Sequence, residues 1–123
     1  MNEQRLNELV EFYEKYLTDR EKGRAEVYIL EHLKYGTFDY VVNDKNEVIG
    51  LCRWNISDDG KTALICDLAI DKAWRGKGLG KHFLKRGLQL WKDVTKIEFQ
   101  RGLRGDSRYR TIPIEHILKH NNF

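Results

Sequence analysis

One segment, residues 67–81, constrains the fold more than any other part of the chain. It reads Asp67-Leu-Ala-Ile-Asp-Lys-Ala-Trp-Arg-Gly-Lys-Gly-Leu-Gly-Lys81, so an apolar strand enters a turn with three glycines and an amphipathic helix follows directly. Glycine adopts positive φ angles without a Cβ penalty, and the first N–H groups of a helix have no intrahelical partner. Such a turn predicts an anion site, and phosphate or pyrophosphate is the expected ligand.

The length and composition predict one globular domain over residues 1–123. The mass of 14.6 kDa and the 41% hydrophobic content are sufficient for one core. No apolar run is long enough for a membrane span, and the first residues lack a signal-peptide pattern. Two cysteines without metal-type spacing predict reduced thiols, no metal site and a cytoplasmic protein.

The charge is unevenly distributed along the chain. The formal net charge of +3 is too small to favour nucleic acid as a partner. Residues 62–123 carry 13 Lys and Arg against 6 Asp and Glu, whereas residues 1–61 carry 9 against 13. A basic cluster with one aromatic residue, Tyr109, is formed by the arginines at 101, 104, 108 and 110. This cluster makes nucleic-acid binding an alternative function, and a solvated tail or a dimer contact would also explain it.

Hydrophobic periodicity predicts a mixed α/β fold (α+β in type). A period of 3.6 predicts two helices before the first strand, and a period of two then predicts a three-strand antiparallel meander. The predicted helices cover residues 3–17, about 20 or 24 to 35, and 78–91. The predicted strands cover residues 37–43, 48–56, 62–70, 95–101 and 109–118, and Pro113 marks the last as an edge strand.

The register of the second and third strands follows from the turn between them. If this turn centres on Asp59, residues whose numbers sum to 118 lie opposite each other. Cys52 then faces Cys66 on a continuous apolar side as a reduced, structural neighbour. Arg53 and Asp67 share the other side with Ile65 as the only charges on the pair, and they are diagonal neighbours.

Two common nucleotide-binding motifs do not fit the glycine turn. A P-loop needs Ser or Thr after the glycine and lysine, but His82 follows Gly80-Lys81. A dinucleotide fingerprint that starts at Gly78 needs a third glycine where Phe83 stands. The turn is therefore either a tight connection between strand and helix or a phosphate site of another class.

With these elements in this order, residues 37–101 resemble the GNAT superfamily of acyl-CoA-dependent N-acyltransferases. The family's phosphate signature is Gln/Arg-x-x-Gly-x-Gly/Ala, and Arg75, Gly78 and Gly80 match its three fixed positions. The resemblance implies an acetyl-CoA-dependent N-acetyltransferase that transfers directly to a primary amine of a small molecule, peptide or lysine. It also implies a parallel strand after the glycine-turn helix and a short final strand.

The resemblance also implies which residues bind the acyl-CoA. In the family, the end of the strand before the signature splays away from its parallel neighbour and leaves a cleft, where the unpaired backbone of that strand binds the amides of pantetheine. The N–H groups of the turn bind the pyrophosphate. Lys77 and Lys81 can contribute charge near the adenosine phosphate. The implied cofactor-binding residues are Leu68, Ala69, Ile70, Arg75, Gly76, Lys77, Gly78, Leu79, Gly80 and Lys81.

Catalysis needs a neutral amine and a proton for the departing thiolate. Asp67 and Glu98 are the candidate bases because each lies on a strand beside the implied cleft, although an ion pair with Arg53 is an equal alternative for Asp67. Tyr109 is the candidate acid, beside the alternative of an exposed cross-strand partner. The sequence predicts that His82 is a surface residue.

The chain departs from the family pattern at both ends. The family begins with a strand and continues, after the strand equivalent to residues 95–101, with a helix that often carries the general-acid tyrosine. We expect a member reduced at both termini. A non-catalytic CoA-binding or interaction module is therefore the alternative function, and the C-terminal segment is expected to form a homodimer that covers an open sheet edge.

Overall fold

The computed structural model describes residues 1–17, 23–100 and 109–113, of which residues 17, 100 and 109–113 are described as backbone only. The helices are α1 (Glu3–Leu17), α2 (Ala25–Lys34) and α3 (Leu79–Leu90), with a 3-10 turn at Lys72–Trp74. The strands are β1 (Phe38–Val42), β2 (Val48–Ile56), β3 (Thr62–Ile70), β4 (Lys96–Gln100) and β5 (Tyr109–Pro113). These bounds confirm the predicted order of elements; residues 114–118 of the predicted last strand lie outside the described residues.

The strands form one sheet in the order β1-β2-β3-β4-β5. β1, β2 and β3 pair as an antiparallel meander, β3 pairs with β4 in parallel, and β4 pairs with β5 in antiparallel. α3 provides the crossover that a parallel pair requires. The mixed α/β fold predicted from periodicity and resemblance is therefore confirmed.

Two apolar cores lie on opposite faces of this sheet. α1 and α2 cover one face, where Leu9, Ile29 and Leu51 are fully buried. α3 covers the other face, where its Phe83 packs in a cluster with Cys52 and Ile97. Leu51 and Cys52 are consecutive on β2 and enter different cores, as strand alternation requires.

The end of α3 packs closely against the sheet. The Trp91 ring meets Trp54 edge to face, with 5.7 Å between the ring centroids. Gly87 provides the space for this contact, since a Cβ at this position would lie 2.5 Å from the Trp91 ring. A side chain at residue 87 would therefore displace the tryptophan.

The predicted register of β2 and β3 was wrong. The four-residue turn after Ser57 is closed by the bond from the Ser57 N–H to the Thr62 carbonyl (2.9 Å), so pairing does not centre on Asp59. A β-bulge between Arg53 and Trp54 of β2 then leaves Cys66 of β3 without a register partner. Cys52 consequently faces Leu68 and not Cys66, and both cysteines are free thiols.

The bulge also changes which face each β3 side chain joins. Ile65 pairs with Trp54 and enters the α3 core, against the prediction that it shares a face with Asp67. Asp67 pairs directly with Arg53 on the α1–α2 face and is not its diagonal neighbour. The predicted closeness of the two charges is confirmed.

Within the described parts of the chain, no helix is long and apolar enough to cross a membrane. The same residues contain no group of three or more His, Cys, Asp or Glu side chains placed to hold a metal ion.

Candidate functional site

A gap opens between the parallel strands β3 and β4. Their register runs from Thr62 opposite Lys96 to Ile65 opposite Phe99 and ends there. β3 continues to Ile70 with partners on β2, but within the described residues it has none on the β4 side. Among the described residues, the backbone groups of residues 66–70 therefore have no strand on one edge, as required for binding an extended ligand.

The gap leads into the glycine turn. Asp71 ends β3 and caps the 3-10 turn by accepting a hydrogen bond from the Ala73 N–H (2.8 Å). Gly76 and Gly78 follow with φ angles of 76° and 89°, in the left-handed region that only glycine adopts routinely. The chain then enters α3 at Leu79, so the turn directs the first N–H groups of α3 to one place.

The start of α3 lies directly against the end of β3. A Cβ at Gly80 would meet the Ile70 Cδ1 at 3.9 Å and the Leu68 Cδ2 at 4.0 Å, which is ordinary contact distance. Leu68 is 37% exposed, so this strand end is accessible from solvent. The strand end and the helix start are therefore neighbouring parts of one site.

Side chains around the turn hold its shape. Arg75 donates through Nε to the Ile70 carbonyl (3.2 Å), and its guanidinium lies over the Tyr16 ring, 5.7 Å from the centroid. The Tyr16 hydroxyl accepts from the Lys72 N–H (3.2 Å) and donates to Asp71 (3.3 Å). The signature arginine thus closes the turn, and α1 supports it.

Two lysines add positive charge beside the helix start. Lys77 and Lys81 are exposed, and the Lys77 ammonium lies 5.0 Å from the centroid of the Trp74 ring. The first turn of a helix has a positive electrostatic potential, which these lysines reinforce. The turn is thereby suited to an anionic ligand.

The Asp67 side chain is 2% exposed and lies within an ion-pair network. Its Oδ2 accepts from Arg53 Nε (2.6 Å) and from the Tyr13 hydroxyl (2.7 Å). Burial lowers the pKa of Arg53, but the negative charge of Asp67 and the hydrogen bond to it raise that pKa above its ordinary value. The alternative interpretation of Asp67 as an ion-pair partner of Arg53 is therefore confirmed, and a catalytic role stays a prediction.

The other candidate catalytic residues lie further along the sheet. Glu98 of β4 is half-buried, and it is the register partner of Leu64 on β3 and of Thr111 on β5. The backbone of Tyr109 begins β5 opposite Gln100. Tyr109 is thus on the strand beyond Glu98, and among the described side chains no hydrogen bond joins Glu98 to Asp67.

The sequence interpretation missed one part of this region, His32. It is 6% exposed, and its ring contacts Thr37 Oγ1 through Nδ1 (2.8 Å) and Arg53 Nη1 through Nε2 (3.3 Å). Its spacing from Ala25 and Ile29 gave a signal, because these are the buried positions of α2. A histidine on an apolar helix stripe requires a polar partner.

The thiol nearest the gap is that of Cys66, at the bulge. It is half-buried and accepts a hydrogen bond from Asn55 Nδ2 at 3.3 Å. Burial raises the pKa of Cys66, and of the more deeply buried Cys52. Both cysteines therefore remain protonated at neutral pH, which does not favour a nucleophilic role.

Comparison with solved structures finds the same fold in several acetyltransferases. A GNAT family acetyltransferase from Staphylococcus aureus Mu50 superposes with a TM-score of 0.68 at 19% identity, over 98% of this chain and 79% of that one. A GNAT family N-acetyltransferase (YhbS) from Escherichia coli, in complex with CoA, gives 0.63 at 12% identity, over 93% and 78%. An aminoglycoside 6'-N-acetyltransferase complexed with coenzyme A gives 0.65 at 11% identity, over 80% and 56%.

A search of curated proteins finds no match. A protein-family model, in contrast, does match this chain. The model of the Acetyltransferase (GNAT) family covers residues 5–102, which include the gap, the glycine turn and α3. The acyl-CoA cofactor predicted from the sequence agrees with this assignment and with the CoA bound to two of the similar structures. On this evidence the chain belongs to the GNAT family of acetyltransferases.

Proposed function

We propose that this protein is an acetyl-CoA-dependent N-acetyltransferase that transfers the acetyl group directly to a primary amine. One observation carries the proposal: the open edge of β3 beyond Ile65 leads straight into the glycine turn at the start of α3. The site offers backbone hydrogen bonds along an extended chain and then a cluster of N–H groups for an anion. These are the two needs of a ligand that carries amides at one end and a pyrophosphate at the other.

The donor-binding roles divide between strand and turn. The backbone of Leu68, Ala69 and Ile70 binds the pantetheine amides. The N–H groups of residues 75–81 bind the pyrophosphate, and Lys77 and Lys81 add charge for the adenosine phosphate. No side chain caps α3 at Gly78 among the described residues, so its first N–H groups remain available to the ligand.

Acetyl-CoA supplies an activated acetyl group, whose bond to sulfur breaks as a bond to the amine nitrogen forms. The protein must take a proton from the amine and provide one for the sulfur. Asp67 and Glu98 are the proposed proton acceptors, and Tyr109 is the proposed donor. The backbone N–H groups around Leu68 are the proposed donors to the thioester oxygen, so no dedicated side chain is required.

Catalytic competence is tested by turnover and binding measured together. Acetyl-CoA is incubated with a panel of small amines, peptide N-termini and lysine peptides, and thiol release is followed while calorimetry measures CoA affinity. CoA binding with transfer to at least one amine supports the proposal. Absence of CoA binding at millimolar concentration refutes it.

A non-catalytic CoA-binding module is the second candidate. Its supporting observation is the engagement of Asp67 by Arg53 and Tyr13, which holds this candidate base in a structural network. CoA binding without turnover of any amine in the panel selects this function. If the wild type is active, the substitution Asp67→Asn distinguishes the two roles further. Loss of a catalytic base lowers kcat, whereas loss of a structural ion pair lowers the stability of the fold.

The remaining expectations accompany the same proposal. The arginines at 101, 104 and 108 lie outside the described residues, and a salt-dependent mobility shift with DNA or RNA would be needed to support nucleic-acid binding.

The proposed enzyme acts as one cytoplasmic domain over residues 1–123 and as a homodimer through its C-terminal segment. Light scattering that gives a monomer at working concentration would refute the dimer.

A further inference from the structure

His32 has one protonation state that satisfies all of its contacts. Arginine is only a donor, so His32 Nε2 accepts from Arg53 Nη1 at 3.3 Å. The neutral ring then carries its proton on Nδ1 and donates it to Thr37 Oγ1 at 2.8 Å. The Thr37 hydroxyl in turn donates to the His32 carbonyl at 3.3 Å. In the neutral Nδ1–H form, each donor of this group therefore faces an acceptor.

The other end of the same guanidinium holds Asp67. Arg53 Nε donates to Asp67 Oδ2 at 2.6 Å, and the guanidinium lies over the Tyr28 ring, 4.6 Å from its centroid. The Tyr13 hydroxyl donates to the same oxygen at 2.7 Å. Elements α1, α2 and β2 thereby fix one carboxylate of β3.

Asp67 lies directly after the irregular pairing between β3 and β2. It follows the bulge at Cys66 and precedes Leu68, where the proposed pantetheine-binding segment begins. If Asp67 turned to the other face, its charge would enter the apolar core beside Ile65. The contact with Arg53 therefore determines how the backbone of residues 68–70 is presented.

We infer that His32 and Arg53 are positioning residues for the acyl donor: through Asp67 they hold the segment Leu68–Ile70 in the orientation that donor binding and transfer require. The inference rests on the function proposed above. Neither residue needs to touch the donor, and the effect of His32 passes through Arg53.

Protonation of His32 would break this arrangement. A protonated ring presents an N–H at Nε2, opposite the positively charged Arg53, and the hydrogen bond between them is lost. The surrounding charges are Arg53 on β2, Asp67 on β3 and Glu31 on α2 itself, with the Tyr13 hydroxyl on α1. Burial and Arg53 lower the pKa of His32, so the neutral form is the one present at neutral pH. Transfer should then decline as the pH falls through the titration of His32.

The test compares two substitutions of His32. His32→Gln retains an oxygen that can accept from Arg53, whereas His32→Leu retains no acceptor. The rate constant kcat/KM for acetyl-CoA is measured against pH with the amine that is turned over. We expect His32→Leu to lose about tenfold at neutral pH, the value of a hydrogen bond to a charged group, and His32→Gln to remain within about twofold. Protonation of the amine lowers the rate at acid pH in every variant, so the comparison uses the additional decline that depends on His32. This additional decline should be absent from both His32 variants and present in the exposed control His82→Gln.

A second measurement does not depend on turnover. Exchange of the Arg53 Nε–H proton with solvent, followed by NMR, should be slow in the wild type and in His32→Gln. It should be at least about tenfold faster in His32→Leu than in the wild type when both are measured at the same pH. Calorimetry on the same samples should give CoA affinity about tenfold weaker in His32→Leu and near that of the wild type in His32→Gln.

The outcomes separate this inference from the proposed function. If the wild type binds CoA but His32→Leu has the same CoA affinity and the same Arg53 proton exchange, the positioning role is refuted alone. An acid decline of kcat/KM that is identical in the wild type and in both His32 variants also refutes it. If the wild type does not bind CoA, the proposed function is refuted and this inference with it.

Discussion

The substitution Gly78→Ala tests the anion site most directly. Gly78 has φ 89° and ψ 11°, and a Cβ added there would meet nothing within 4 Å. The alanine therefore causes no collision, and its whole effect is the cost of the left-handed conformation, about 1–2 kcal/mol. In the free protein this exposed turn can relax to another conformation, whereas the bound pyrophosphate requires the original one.

The cost should therefore appear in ligand binding. A loss of about 1–2 kcal/mol corresponds to CoA affinity lower by about fivefold to thirtyfold. Gly78→Asn should recover most of this, because asparagine tolerates the left-handed region, as Asn46 of this chain does at φ 64°. Calorimetric titration with CoA measures both variants.

Gly60 supplies a matched control. It lies in the turn between β2 and β3 with φ 76°, and it too has nothing within 4 Å of an added Cβ. Gly60→Ala should lower the free energy of unfolding by about 1–2 kcal/mol and leave CoA affinity unchanged. If Gly78→Ala binds CoA as the wild type does, or if Gly60→Ala weakens CoA equally, the turn is not the binding site as we describe it.

Three further predictions concern stability. Gly87→Ala should cost about 1–3 kcal/mol in free energy of unfolding, because its Cβ would lie 2.5 Å from the Trp91 ring; denaturation with urea measures this. Leu51→Ala should cost about 2–5 kcal/mol, since Leu51 is completely buried, and the same assay applies. Burial and Arg53 lower the pKa of His32 in the folded state, so stability should be fully present above the ordinary value of 6.5 and fall as the pH drops through the folded pKa.

Each of these has a result that contradicts it. An unfolding free energy of Gly87→Ala equal to that of the wild type would mean that the tryptophan moves without cost. A loss for Leu51→Ala below about 1 kcal/mol would contradict its position in a packed core. For His32, the pH dependence of stability should become shallower in His32→Gln, and an unchanged dependence would assign it to another group.

The local features of the donor site could be predicted from the sequence because short-range chemistry determines them. Three glycines within five residues, after an apolar strand and before an amphipathic helix, leave few conformations available, and Gly76 and Gly78 adopt the positive φ angles that this requires. The order of helices and strands follows from hydrophobic periods in the same way. The opening between β3 and β4 came only from the family resemblance.

Long-range partners could not be predicted in this way. Tyr13 and Asp67 are 54 positions apart, and their contact depends on how α1 packs on the sheet. The position of His32 on the apolar stripe of α2 indicates burial but does not indicate that Arg53 is its partner. The register error at Cys66 has a related cause, because counting from a turn assumes regular pairing and a bulge adds one residue.

The bulge at Cys66 connects these observations. Ile65 and Asp67 are two residues apart, so in a regular strand they would face the same side. In one case the Asp67 carboxylate would enter the apolar α3 core without a partner, which costs several kcal/mol. In the other case Ile65 would leave that core, and Trp54 would lose Ile65 as its register partner. One extra residue places Ile65 with Trp54 and Asp67 with Arg53, and it does so where the ladder between β3 and β4 ends. The bulge therefore coincides with the start of the open segment of β3, and the glycine turn lies at the other end of that segment.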